Sequence, residues 1–207
     1  MMNKMLKLAI LGVAACGVFA LTGCGGDKAA SSTAASSAAG QGALLQKIKK
    51  DGKLVVGTAP GFPPYEFLDT SVKDKKSITG IDIKIAEAVA KKLGVKLEVQ
   101  DMTFQSLLAS ITTGKIDIAI SAITPTAERE KTVDFSDSYL VGKHTLLVRK
   151  EDAGKYKTLA DFNGKKIAVQ KSSLQEKLTN EQIKDAQVVA LTKVPDALLE
   201  LQQGKVD

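Results

Sequence analysis

Two apolar runs, LVVGTA at 54–59 and IDIAISAI at 116–123, constrain the fold more than any other feature of this chain. Each is short, rich in β-branched residues and close to continuous rather than alternating. Each therefore reads as a strand buried on both faces. Segments with helical spacing lie around them. From Gly80, IDIKIAEAVAKKLG sets Ile81, Ile85, Ala88, Val89 and Leu93 at helical intervals, and Gly94 stops it. LLQKIKKDG closes at Gly52 and FQSLLASITTG at Gly114, while VKLEV at 95–99 alternates as a strand. Strands that alternate with helices and are apolar on both sides predict a parallel α/β sheet.

The same order comes round again. KIAVQ at 166–170 and AQVVAL at 186–191 read as strands, and SSLQEKLTNEQ opens a helix between them. VPDALLELQQGKVD then reads as a helix, a glycine stop and the start of a strand. Gly114-Lys115-Ile116-Asp117 matches Gly204-Lys205-Val206-Asp207 at an offset of 90, and at that offset Leu108 meets Leu198 and Ile111 meets Leu201. A match this short also arises by chance. Two lobes of similar topology would produce it, one over 44–145 and one over 146–207. KHTLLVRK at 143–150 then reads as a strand passing between them. The chain stops at Asp207, one residue into the strand that would match 118–121. The expectation is a fragment, truncated inside its second lobe.

The first 43 residues read as an address rather than as fold. MMNKMLK is a positive start, LAILGVAACGVFALTG an apolar segment, and together they form a secretory signal peptide over 1–23. Leu21-Thr22-Gly23-Cys24 resembles the lipobox of bacterial lipoproteins, which implies acylation at Cys24, cleavage before it and anchoring without spanning. The other reading is an ordinary signal peptide that contains a cysteine. Cys16 would leave with the signal, so Cys24 would be the sole cysteine of the mature chain. Residues 24–43, mostly Gly, Ser, Ala and Thr, read as a flexible tether. Removing Lys4 and Lys7 from the formal +6 leaves 27 basic and 23 acidic residues, or +4, scattered along the chain. There is no basic stripe interleaved with aromatics, which argues against nucleic-acid binding.

One segment concentrates binding chemistry. At AISAITPTAEREK, 119–131, the apolar strand ends at Thr124, at the sheet edge where open α/β folds bind ligands. Pro125 suits the first position of a helix capped by Thr124. The N–H groups of such a turn favour an anion, and Arg129 adds a bidentate fork for a carboxylate. Equally, Thr124 reads as a plain cap with Arg129 paired to Glu128 or Glu130 in solvent.

With these residues in view, the chain resembles the solute-binding proteins of ABC importers for polar amino acids, the bacterial extracellular solute-binding proteins of family 3. The resemblance runs from about Leu54 to Asp207. It rests on LVVGTAPGFPPYEF, GIDIKIAEAVAKKLG, FQSLLASITTGKIDIAISAITPTAEREKTVDFSDSYL, LADFNGKKIAVQKSSLQEKL and LLELQQGKVD, in that order. It implies two Rossmann-like lobes of the type II periplasmic binding-protein fold, closing on one amino acid. The ligand carboxylate would meet Arg129 and the backbone N–H groups of Thr124 and Ala122. Phe62 and Phe104 would pack on the ligand, although each also reads as core. Gln170 to Leu174 would supply the second lobe's loop, and an aspartate for the ligand amino group would fall beyond Asp207. Lys84 stands where that family usually has an acid, Ala59 where an aspartate is frequent, and Leu174 where glycine or threonine is common.

The expected function follows from the resemblance: a monomeric, lipid-anchored extracytoplasmic receptor that passes a polar L-amino acid to a membrane permease. It implies no cofactor, no metal and no catalytic residue. The same lobes also occur as ligand-binding domains of sensors, and a few dehydratases and lytic enzymes resemble the fold. The single histidine, His144, lies in the crossing segment.

Overall fold

The computed structural model of the chain describes residues 34–71 and 77–207. The signal segment, Cys24 and the start of the tether lie outside the described residues.

The first sheet is built around β1 (Lys53–Thr58). It runs parallel to β4 (Lys96–Asp101) on one side and β5 (Ile118–Ala119) on the other, in the order β4-β1-β5. Its central place explains the unbroken apolar run. Leu54 and Val56 pack with Ile48 of helix α1 (Ala34–Asp51) and with Ala86 and Ala90 of α2 (Ile81–Leu93). Val55, between them, points the other way and joins Leu107 of α3 (Leu107–Thr112) and Ile116. Alternate residues of one strand thus feed two cores, which is why period-2 alternation is lost. A short antiparallel pair, β2 (Phe67–Leu68) and β3 (Ile78–Thr79), sits between β1 and α2. Gly80 opens α2 at φ 130°, and a Cβ there would lie 2.1 Å from the Tyr65 carbonyl oxygen. That approach seats the first turn of α2 on the 61–66 loop, where Asp82 N–H donates to the same carbonyl.

The second sheet pairs β6 (Lys166–Gln170) with β7 (Gln187–Leu191), again in parallel. Helices α4 (Leu174–Gln182) and α5 (Val194–Gln202) accompany it, and Phe162, Ile167, Val169 and Ile183 form its core.

Most hydrogen bonds of the 90-residue repeat recur, although the Ile116 N–H bond to Ser110 O has no counterpart at Val206 among the described residues. Gly114 and Gly204 both turn at φ near 70°, their N–H groups reaching Ile111 O and Leu201 O. Lys115 N–H reaches Ser110 O, and Lys205 N–H reaches Glu200 O. Asp117 donates its N–H to Val55 O and accepts the Val55 N–H at 2.9 Å through Oδ2. Asp207 does the same with Lys166, at 2.8 and 2.9 Å. In both sheets an aspartate side chain takes the place of one ladder rung, Asp117 just before β5 and Asp207 beside the start of β6.

Four expectations need correction. Helix α1 starts at Ala34, so it takes in residues 34–43 that were read as tether; alanine, frequent there, is the best helix former. The strand expected over 116–123 carries ladder pairing only at Ile118–Ala119, because Ala122 takes a left-handed φ of 47° and turns the chain out of the sheet. No helix starts at Thr124. The chain makes only a 3₁₀ turn over Arg129–Lys131, preceded by Glu128 without a side-chain cap, and the Thr126 hydroxyl accepts the Arg129 N–H at 3.3 Å. The crossing segment 143–150 pairs with no strand among the described residues. Leu146 and Val148 still face the second core, and Arg149 anchors the segment by donating to the carbonyls of Leu201 and Val206.

Candidate functional site: a cleft gripped by Arg129

A cleft of about 720 Å³ spans the loops after β1 and β5 and runs along β6 from Lys166 to Gln170, with Phe162, Ile167, Val169, Leu201 and Val206 also among its walls. Phe62, Phe104, Ala122, Thr124, Arg129, Gln170 and Leu174, all singled out from sequence, line it.

Arg129 is half-buried in the cleft. Burial draws its guanidinium down from the usual value, with Glu128 pulling the other way, yet a guanidinium stays charged at any ordinary pH. One terminal nitrogen donates to Thr124 O at 2.8 Å, the other to Ser172 O at 3.0 Å. The carbon at the centre of the guanidinium sits 5.6 Å from the centroid of the Phe104 ring, in cation–π range. Of its five N–H donors two are used in these bonds, so three remain for a carboxylate. The solvent ion pair with Glu128 or Glu130 does not form among the described residues.

Phe104 packs against the Leu107 core, one of its two readings, and its ring also lies under Arg129. Phe62 stacks on Tyr65 at 5.2 Å between centroids, on a loop pinned by the Gly61 and Phe62 N–H groups reaching Glu66 O. Thr124 offers its N–H and hydroxyl, neither of which takes a protein partner among the described residues. Ala122 differs from expectation. Its N–H goes to Asp82 Oδ2 at 2.6 Å, so it is not free to meet a ligand.

That bond belongs to a buried network the sequence reading missed. Asp82 is fully buried, and its Oδ1 accepts the Tyr139 hydroxyl at 3.0 Å. Glu66, 2% exposed, accepts the Ser121 hydroxyl at 2.8 Å, and Ser121 Oγ accepts the Ala59 N–H at 3.1 Å. Burial, and then the neighbouring Asp82, push the Glu66 carboxyl up to about 9 against the pull of Ser121. The available signal was an acid in an otherwise apolar and aromatic stretch, PPYEF, and a second acid at the very start of an apolar helix.

The parallel sheets, the repeated lobe topology and a cleft at the strand ends with a poised arginine define a two-lobed binding protein of the periplasmic type II class. A family profile, that of the bacterial extracellular solute-binding proteins, family 3, matches residues 54–204. The chain belongs to that family. It is 39% identical to the arginine-binding extracellular protein ArtP of Bacillus subtilis over 177 residues, covering 86% of this chain and 60% of ArtP. It is 32% identical to the L-cystine-binding protein TcyJ of Escherichia coli, covering 79% of this chain and 60% of TcyJ. The chain thus spans about 60% of the length of these curated relatives. Among solved structures it resembles an amino-acid ABC transporter substrate-binding protein of Streptococcus pneumoniae bound to L-arginine. That likeness has a TM-score of 0.76 at 43% identity, over 79% of this chain and 68% of the other. The ancestral amino-acid-binding protein AncCDT-1, a precursor of cyclohexadienyl dehydratase, is similar at 37% identity, with a TM-score of 0.74 over 79% of this chain and 74% of the other.

Proposed function

We propose that this chain captures an L-amino acid for an ABC importer, holding the α-carboxylate between Arg129 and the N–H and hydroxyl of Thr124. The observation that carries the reading is Arg129 itself, half-buried at the strand ends with three N–H donors to spare. Gln170 and Leu174 close the cleft from the second lobe, and Phe62 with Tyr65 forms an aromatic floor. A stacked aromatic pair is a surface on which a guanidinium packs well. Relatives named for arginine stand at 43%, 39% and 28% identity, against 37% for a probable histidine-binding and 32% for a cystine-binding relative; the highest identities favour L-arginine. The lobe boundary falls near 145/146, with residues 44–145 in one and 146–207 in the other. Cys24 carries a lipid that holds the protein, as a monomer, at the outer face of the membrane beside its permease. Among the described residues no helix is long and apolar enough to cross a membrane.

Calorimetry of the chain with each of the twenty amino acids tests this reading. Saturable binding of L-arginine, lost in Arg129→Ala, is expected; binding of none of the twenty sinks it. Mass spectrometry of membrane-extracted protein for an acylated Cys24 at the N-terminus tests the anchor separately.

A further inference from the structure

Glu66 and Asp82 are two buried acids with no basic side chain bonded to either among the described residues. They lie on different elements, one on the loop after β1 and the other in the first turn of α2. Their bonds converge on consecutive residues of a third: Glu66 Oε1 takes the Ser121 hydroxyl and Asp82 Oδ2 the Ala122 N–H. Ala122 is the residue whose φ of 47° turns the chain from β5 into the cleft, toward Thr124 and Arg129. Glu66 Oε2 is buried without a donor from the protein. An ionised oxygen left in that state is costly, whereas a carboxyl that keeps its proton becomes a donor itself. Its neighbour Asp82, already accepting at both oxygens, can take that proton's hydrogen bond.

We propose that Glu66 and Asp82, sharing one proton, are the positioning pair that holds Ala122 in its left-handed turn and so aims Thr124 and Arg129 at the ligand. This deepens the reading of the cleft as an amino-acid site and rests on it. Glu66 reaches the cleft lining beside Ser121, while Asp82 lies behind it. The pair acts through the backbone, because a left-handed alanine is unfavourable on its own and persists when its N–H is tied down. The 121–124 segment is thus held by carboxyls at Ser121 and Ala122, while the Thr124 N–H and hydroxyl stay free for a ligand. The titratable groups facing Glu66 among the described residues are Asp82 from α2 and Tyr139 from the segment after the 3₁₀ turn. Burial, and then Asp82, push the Tyr139 phenol far up, so it remains a donor throughout the range in which Glu66 ionises.

The test uses the full chain, L-arginine as probe and calorimetry from pH 6 to 10. Glu66→Ala should weaken binding roughly tenfold, since it leaves Ser121 and Asp82 each short of a partner. Glu66→Gln, which donates toward Asp82 and accepts from Ser121 at every pH, should recover most of that loss. Wild-type affinity should fall more steeply above pH 8 than that of Glu66→Gln; the ligand's own amino group titrates alike in both and cancels. Equal losses in the two variants, coincident pH profiles, or wild-type affinity in Glu66→Ala would each overturn the proposal. A ligand-free measurement separates the two claims: the Glu66 side-chain carboxyl, followed by ¹³C NMR, should titrate in the alkaline range. A midpoint in the ordinary carboxylate range removes the shared proton whatever binds. If wild type binds no amino acid, the site reading fails and the positioning role with it, while the NMR titration still reports on the pair.

Discussion

Arg129 divides its donors between the protein and the open cleft. Its bonds to Thr124 O and Ser172 O, with the Phe104 ring against it, fix the guanidinium before a ligand arrives, so little side-chain freedom remains to be lost on binding. Removing it would leave a ligand carboxylate buried without its cation. Arg129→Ala should therefore weaken L-arginine binding by about 3–5 kcal/mol, and Arg129→Lys should also weaken it, since a point charge cannot reproduce the fork. Unchanged affinity in calorimetry would place the carboxylate elsewhere. Glu66 makes a separate prediction about stability. Its carboxyl lies at about 9 in the folded chain against 4.5 when free, so folding binds a proton between those values. Its contribution is complete below about pH 4.5 and is lost as pH rises toward 9. Urea midpoints of the wild type should fall relative to those of Glu66→Gln across that window. Parallel curves would mean that Glu66 ionises normally.

At the level of elements, the two aspartates at equivalent places in the repeat carry a testable load. Asp117 is buried, accepts the Val55 N–H and pairs with Lys47 at 3.0 Å. Asp117→Ala would strand a buried N–H in the central strand, at a cost of about 1–3 kcal/mol in urea denaturation; a change within error would show that water replaces the side chain. Asp207 makes the same bonds to Lys166 at the rim of the second sheet, where it is less buried, so Asp207→Ala should cost less. The crossing segment illustrates the opposite case. Its alternation of Leu146 and Val148 inward with Leu147 outward is that of a strand. Alternation specifies which faces are buried, while a ladder also requires a neighbour at the right distance. Arg149 fixes the segment through carbonyls instead.

For the molecule as a whole, Arg129 is a hydrogen-bonded link between its halves: the guanidinium rooted beside β5 reaches the Ser172 carbonyl in the loop after β6. Ser172 itself sits at φ 64°, and its N–H is held by the Glu176 carboxylate at 2.6 Å. A ligand that binds the closed cleft should stabilise both halves together. L-arginine at a hundredfold excess over its Kd should add about 2.7 kcal/mol, seen as a raised Tm in calorimetry. Agmatine, which keeps the guanidinium but lacks the carboxylate, should produce little shift. An equal shift with agmatine would show that Arg129 is not a carboxylate clamp.

The alternation of strands and helices along the chain, the helix stops and the 90-residue repeat were all legible in the residues, because they depend on local patterning: β-branched runs buried on two faces, periodic apolar helices and glycines at left-handed turns. The cleft residues were legible too, through the position of Arg129 after a strand end and through the family resemblance. The strand's early exit, the loss of Ala122 as a ligand donor and the Glu66–Asp82 pair were not. Each is decided by a contact between residues 40 or 55 positions apart, Asp82 with Ala122 and Glu66 with Ser121. Residue types along the chain determine which surfaces are buried. Only tertiary packing decides which buried acid meets which N–H, because that pairing is set by the loop that Gly80 lets α2 approach.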